Sequence, residues 1–197
     1  MAGSKKFWDR IAKRYEKKPV GDEAAYQRKL ATTREYFRPD MEVLEIGCGT
    51  GSTAIAHAPY VAHIRATDIS EKMIEIAKGK ATEAGVQNVT FEAVAIEDLG
   101  VASESVDAVL ALSLLHLLED KKAVIARIHD MLRPEGIFVS NTVCLGDSMK
   151  WFRLVAPVGR WLGVFPLLRI FTRNELVAGI TGAGFDIEHE WRPDKHV

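Results

Sequence analysis

Glycines at 47, 49 and 51 punctuate the stretch Val43-Leu44-Glu45-Ile46-Gly47-Cys48-Gly49-Thr50-Gly51. Glycine adopts positive φ readily and lets a ligand approach bare backbone, so such a turn after an apolar run can cradle a small molecule. A dinucleotide-binding loop carries glycine at its first, third and sixth positions; here Ser52 occupies the sixth. Glu45 stands two residues before Gly47, where a carboxylate would repel a pyrophosphate and attract an ammonium. Asp68 ends the next apolar run, 61–67, and an acid at the tip of a second strand is placed to accept two ribose hydroxyls. The implied ligand is a nucleoside with a cationic tail.

These residues need a scaffold of alternating elements. Val43, Leu44 and Ile46 read as a buried strand. Ser52 opens a helix whose free N–H groups face the same space as the glycine turn. The run 61–67 is a second strand, and Ser70 caps a helix to Ala84 with Gly85 as its stop. Residues 89–94 are a third strand and 106–112, nearly continuously apolar, a central parallel one. An amphipathic helix over 119–132, a turn at Pro134-Glu-Gly136 and a fifth strand over 137–143 follow. Thr172-x-x-Glu175 is a capping box for a last helix closing near 182–184, and 185–191 reads as a sixth strand. Upstream, Phe7, Trp8, Ile11, Ala12 and Tyr15 fall at helical spacing, Pro19-Val-Gly21 stops that helix, and a second helix covers 22–37.

A cation at the loop and a ribose at the next strand describe S-adenosylmethionine better than NAD. Residues 43–51 resemble the first motif of class I S-adenosylmethionine-dependent methyltransferases, and Ala66-Thr-Asp68-Ile69-Ser70 resembles the second. Asp107-Ala-Val-Leu-Ala-Leu-Ser113-Leu-Leu-His116 and Leu132-Arg-Pro-Glu-Gly136 resemble the later ones, in order, over roughly residues 40–145. The resemblance is to the small-molecule branch that acts on ubiquinone precursors or phospholipids. It implies an α/β fold: a doubly wound, Rossmann-like, mostly parallel sheet with helices on both faces, here without the last antiparallel strand. It also implies direct methyl transfer with S-adenosylhomocysteine as product.

Carried over residue by residue, the resemblance assigns Glu45 to the methionine ammonium and passes Gly47, Cys48, Gly49 and Gly51 along it. Asp68, with Ile69, goes to the ribose, Met73 to the adenine face, and Leu112 and Ser113 to the neighbourhood of sulfur and methyl. The family often places an acid after its third strand to hold the adenine amino group; Ala95 stands there instead, leaving the Ile96 backbone and Glu97 or Asp98 as substitutes. Tyr15, in a segment similar to the family's N-terminal lid, either faces the cofactor or packs a helix onto the domain. His116 is either a general base, since imidazole titrates near neutrality, or a packed residue among leucines.

At 197 residues the chain is expected to form one domain: an N-terminal helical lid (1–38), a cofactor core (39–147), a substrate-lid insertion (148–174) and a last helix and strand (175–197). Two cysteines, Cys48 and Cys144, exclude a disulfide scaffold and suggest no metal site. No apolar run approaches the ~18 residues of a spanning helix, no signal peptide is evident, and a cytoplasmic location is expected. The net charge of −1 conceals eleven Lys/Arg against five Asp/Glu in residues 1–38. Residues 148–174 hold Trp151, Phe152, Trp161, Phe165 and Phe171 with Lys150, Arg153, Arg160, Arg169 and Arg173, and breakers at Pro157, Gly159, Gly163 and Pro166. A hydrophobic or lipid-like small acceptor is expected, with peripheral membrane contact through 1–18 and 148–174. No nucleic-acid partner is expected, because Leu112-Ser-Leu-Leu replaces the Asn/Asp-Pro-Pro-Tyr/Phe signature of base methylation. Protein or nucleic-acid methylation, or a non-catalytic cofactor-binding subunit, are the alternatives.

Overall fold

A computed structural model describes residues 2–149, 151, 152, 155, 156, 159 and 165–193. Five parallel strands form one sheet in the order β3-β2-β1-β4-β5: β1 (Glu42–Ile46), β2 (His63–Asp68), β3 (Val89–Ala93), β4 (Val106–Leu112) and β5 (Leu132–Asn141). The chain builds outward from β1 through β2 to β3, then crosses to β4 on the other side of β1. The carboxyl ends of β1 and β4 therefore flank the crevice where the winding reverses, which is where open parallel sheets bind ligands.

Alternation along the strands fills two cores. Val43, Ile64, Ala66, Ala108 and Leu110 meet α4 (Glu71–Glu83) through Ile74 and Ala77. Leu44, Ile46, Val109 and Ala111 meet α5 (Lys121–Met131) through Ile125, Ile128 and Met131. Burying both faces makes the strands read as apolar runs rather than alternating ones. Short α3 (Ser52–His57) follows the glycine turn, α1 (Ala2–Glu16) packs on α4, and α2 (Glu23–Arg34) packs on α3. Next come α6 (Leu145–Ser148) and α7 (Arg173–Thr181). In α7 the Glu175 amide donates to Thr172 Oγ1 and the Thr172 amide to Glu175 Oε2, so the expected capping box forms.

Two sequence expectations change. Pro134-Glu135-Gly136 does not precede the fifth strand but interrupts it. Leu132 already pairs with Val106, and pairing resumes at Ile137 against Ala108, with Glu135 at φ 62° taking up the extra length. Residues 185–193 form no strand; Phe185 turns inward instead, packing beside Phe138 and His129 at centroid distances of 5.2 and 5.1 Å. Among the described residues no helix is long and apolar enough to cross a membrane.

Candidate functional site

One cleft opens over the carboxyl ends of β1, β2, β3 and β4, lined there by Ile46, Gly47, Gly49, Thr67, Asp68, Ile69, Ala95, Ile96, Glu97, Leu112 and Ser113, with Met73 of α4 behind. Its floor is a locked turn. Cys48 N donates to Thr67 O at 2.9 Å and Gly51 N to Cys48 O at 3.0 Å. Gly51, at φ 76°, caps α3, and a Cβ there would sit 2.8 Å from Ala77 Cβ and from the Phe91 ring. Gly51 therefore serves packing and lies outside the cleft. Gly49, at φ 54°, is the opposite case: the nearest atom to a Cβ is the Tyr15 ring at 4.0 Å, so its bare backbone faces open cleft.

Asp68 is the most constrained acid of the site. Gly49 N donates to its Oδ2 at 2.9 Å and Ser70 N to its Oδ1 at 2.8 Å. Each oxygen keeps a further lone pair, so the carboxylate is oriented and can still accept two hydroxyls. Burial raises its pKa, those two amides lower it, and Asp9 adds to the rise. Ser70 also caps α4, accepting from Met73 N at 3.1 Å, which places Met73, 2% exposed, against the cleft.

Glu45 lies beneath the turn rather than in the lining. It is 2% exposed, and its Oε2 has no hydrogen-bond partner among the described residues. Burial pushes its carboxyl from 4.5 up to about 8, against the pull of Lys29 and with a contribution from Asp68. A buried oxygen with unused acceptor capacity is what a cationic ligand end would satisfy. Cys48 is likewise buried; its thiol donates to Gly49 O at 3.7 Å, and burial drives its pKa well up. The orphaned Glu45 oxygen, the oriented Asp68 and the bare Gly49 fit the nucleoside with a cationic tail read from the sequence.

At the end of β4, Ser113 holds φ 55°, an uncommon conformation for a side-chain-bearing residue. Asn141 at the end of β5 stabilises it twice, accepting from Ser113 N at 2.7 Å and from Ser113 Oγ at 3.1 Å. His116 does not enter the cleft lining. It sits on the 3₁₀ turn Leu115–Leu117, 9% exposed, with Nδ1 2.9 Å from Thr142 Oγ1, and burial lowers its pKa.

Tyr15 does reach the cleft, and α1 contributes more than sequence reasoning found. Ser4, Trp8 and Tyr15 line the cleft together, spaced at i, i+4 and i+11 along one helical face; that spacing was a readable signal. Val94, Leu114, Leu117, Leu118, Glu119, Pro166 and Leu167 complete the lining. Arg169 N donates to His116 O at 2.8 Å, tying the 165–172 segment above the 3₁₀ turn. Of the basic-aromatic insertion, Lys150, Arg153, Pro157, Arg160, Trp161 and Gly163 lie outside the described residues.

Residues 37–170 match the model of a family described as a methyltransferase domain. The chain is 33% identical over 154 residues to the ubiquinone biosynthesis O-methyltransferase of Azorhizobium caulinodans, covering 75% of this chain and 59% of that one. It is 32% identical over 102 residues to the uncharacterized methyltransferase YcgJ of Bacillus subtilis, covering 52% and 40%. The crystal structure of a B. subtilis YcgJ protein superposes with a TM-score of 0.69 at 24% identity, covering 80% of this chain and 68% of that one. The chain spans between 40% and 65% of the length of the first curated relatives it matches. With more than half of its length inside the family match, the chain belongs to the methyltransferase-domain family.

Proposed function

We propose that the chain transfers the methyl group of S-adenosylmethionine directly to a small or amphipathic, apolar acceptor. The observation that carries this is Asp68, its carboxylate fixed by the Gly49 and Ser70 amides beside bare glycine backbone at the switch point of the sheet. Asp68 would hold the ribose, Glu45 the methionine ammonium directly or through water, Met73 and the Ile96 backbone the adenine. When bound, the cofactor supplies an activated methyl on a sulfonium whose charge is lost on transfer. The chain's task is then to align the acceptor and keep water out, and alignment alone supplies up to ~7–11 kcal/mol in well-oriented cases.

The acceptor end of the cleft supports an apolar substrate. Past Ser113 its walls are Leu114, Leu117, Leu118, Pro166 and Leu167, with Glu119 at the rim. A quinone-like phenol or a lipid amine suits that lining, and the similarity to a ubiquinone O-methyltransferase favours the first. His116, held by Thr142 away from the lining, acts in this proposal as a brace for the turn. The outward face of α1 exposes Lys6, Arg10, Lys13 and Arg14, followed by exposed Lys17 and Lys18, which suits an acceptor presented at an anionic surface.

Calorimetry with S-adenosylhomocysteine, followed by transfer of a labelled methyl to a panel of quinols, phenols and lipid amines, tests the proposal. Binding and transfer to an apolar acceptor are expected. Binding without transfer to the panel or to lysate would favour the non-catalytic alternative, and absence of binding would end the proposal.

A further inference from the structure

One side chain joins the roof of the cleft to the residue that orients Asp68. Trp8 and Asp9 are consecutive, so about 100° of helix separates them. Trp8 points into the cleft, while Asp9 Oδ1 accepts from Ser70 Oγ at 2.6 Å and from Lys72 N at 3.2 Å, at the first turn of α4. Ser70 is the residue whose amide orients Asp68 and whose hydroxyl oxygen caps α4. A relay therefore runs from α1 through Ser70 to the cleft's central acid.

The rest of α1 packs on α4. Ala12 is its buried anchor at 1% exposure. The Lys5–Glu71 pair, at 2.7 Å, joins side chains 39% and 65% exposed, and pairs in water contribute little. Beyond Glu16, residues 17–21 are exposed and contain Pro19 and Gly21. Gly21 has nothing within 4 Å of where a Cβ would stand. This is a helix on an unpacked tether, laid across the cleft with Ser4, Trp8 and Tyr15 facing inward.

We infer that Asp9 is a positioning residue for the cofactor: its carboxylate latches α1 onto Ser70 and Lys72, and opening of that latch governs how fast the adenosyl ligand is exchanged. The inference rests on the proposed use of the cleft for an adenosyl cofactor. A carboxylate at a helix N-terminus makes charge-assisted bonds, strong enough to hold a roof and few enough to release it. Closing the latch also fixes Ser70, and with it the Asp68 carboxylate, so roof and ribose acid are set together.

Stopped-flow fluorescence of Trp8, with Trp8→Phe as the background control, measures S-adenosylhomocysteine release in the full chain. Asp9→Ala is expected to raise the release rate by roughly ten- to a hundredfold, the span that loss of a charge-assisted hydrogen bond implies. Asp9→Asn, which keeps an acceptor oxygen, should fall between Asp9→Ala and the parent. Lys5→Ala should leave the rate unchanged. Limited trypsin digestion should cut earlier within residues 10–18 in Asp9→Ala than in the parent, with less protection by S-adenosylhomocysteine. If the parent chain does not bind S-adenosylhomocysteine, the cofactor proposal itself fails. If it binds, and Asp9→Ala lowers only the melting temperature while release and digestion stay at the parent's values, Asp9 is a helix cap and the latch is refuted.

Discussion

Arg127 of α5 donates from Nη1 to the carbonyl oxygen of Ile96 at 2.7 Å. The same guanidinium reaches Glu97 O at 2.9 Å and Leu99 O. One side chain of α5, the helix that shares a core with Ile96 and Leu99, thus gathers the carbonyls of the turn that follows β3, where the adenine is proposed to lie. The arginine fixes the turn from behind, while Ala95 offers no acid for an adenine amino group.

Arg127→Ala should therefore act on both stability and binding. Loss of these bonds is expected to cost about 1–3 kcal/mol, lowering the melting temperature by roughly 2–4 °C per kcal/mol for a chain of this size. S-adenosylhomocysteine should bind at least several-fold more weakly. Scanning calorimetry and titration calorimetry measure the two; unchanged affinity would remove the turn from the site.

Glu45 predicts a pH dependence with a definite sign. Its folded carboxyl sits at about 8 against 4.5 for the free group, so the folded chain keeps a proton that the unfolded chain releases between those values. The stability it contributes is complete below about pH 4.5 and is lost as pH rises through about 8. Glu45→Gln removes that dependence, and its melting temperature should exceed the parent's increasingly from about pH 5 to about pH 8 and by a steady margin above that. A pH-independent difference would contradict the assignment. Near pH 7 the adenosylmethionine ammonium should favour the ionised carboxyl, so binding should release a proton. Calorimetry in two buffers of different ionisation heat reads that release.

Asp68→Ala removes two proposed acceptors for ribose, each worth ~1.5–3 kcal/mol when charge-assisted. Affinity for S-adenosylhomocysteine should fall by at least tenfold, measured by titration calorimetry. Asp68→Asn, which preserves shape, should lose less.

Two glycines of one turn should behave differently on replacement by alanine. Gly51→Ala meets Ala77 and Phe91 at positive φ and should lose about 1–3 kcal/mol of stability. Gly49→Ala meets no neighbour closer than 4.0 Å, so backbone strain of about 1 kcal/mol should remain while the ligand cradle is filled. Denaturant melts and cofactor titrations on both variants separate the effects.

His116→Gln should leave turnover at saturating cofactor within about twofold of the parent while lowering the melting temperature, as loss of a buried hydrogen bond of about 1 kcal/mol implies. A collapse of turnover with unchanged stability would return His116 to the chemistry.

The strands were legible wherever burial on both faces made continuous apolar runs, as from Val106 to Leu112. Local signals that carried their own chemistry were also legible: Ser70 and Thr172 each cap a helix through the side chain, whereas Asp22, read as the first residue of its helix, is the cap before Glu23. Glu135 was not, because a bulge inside β5 has the same turn residues as a turn before it. The run 185–191 failed as a strand because Phe185 packs inward singly without a neighbouring ladder. In the site, spacing located Gly49 and Asp68 along the chain and the family resemblance added Met73, but neither could show that Glu45 is buried beneath the turn. Nor could they show that His116 turns toward Thr142, since both depend on side-chain direction. Arg127 was invisible for the same reason: three carbonyls leave no trace in residue types.

The helix bearing Ser4, Trp8 and Tyr15 precedes residue 37, where the family match begins. The ceiling over the cleft is thus supplied by residues that precede the family match. Exchanging that stretch for a foreign one should alter which guests are admitted and also how long the proposed nucleoside stays, because the Asp9 contact with Ser70 would leave with it.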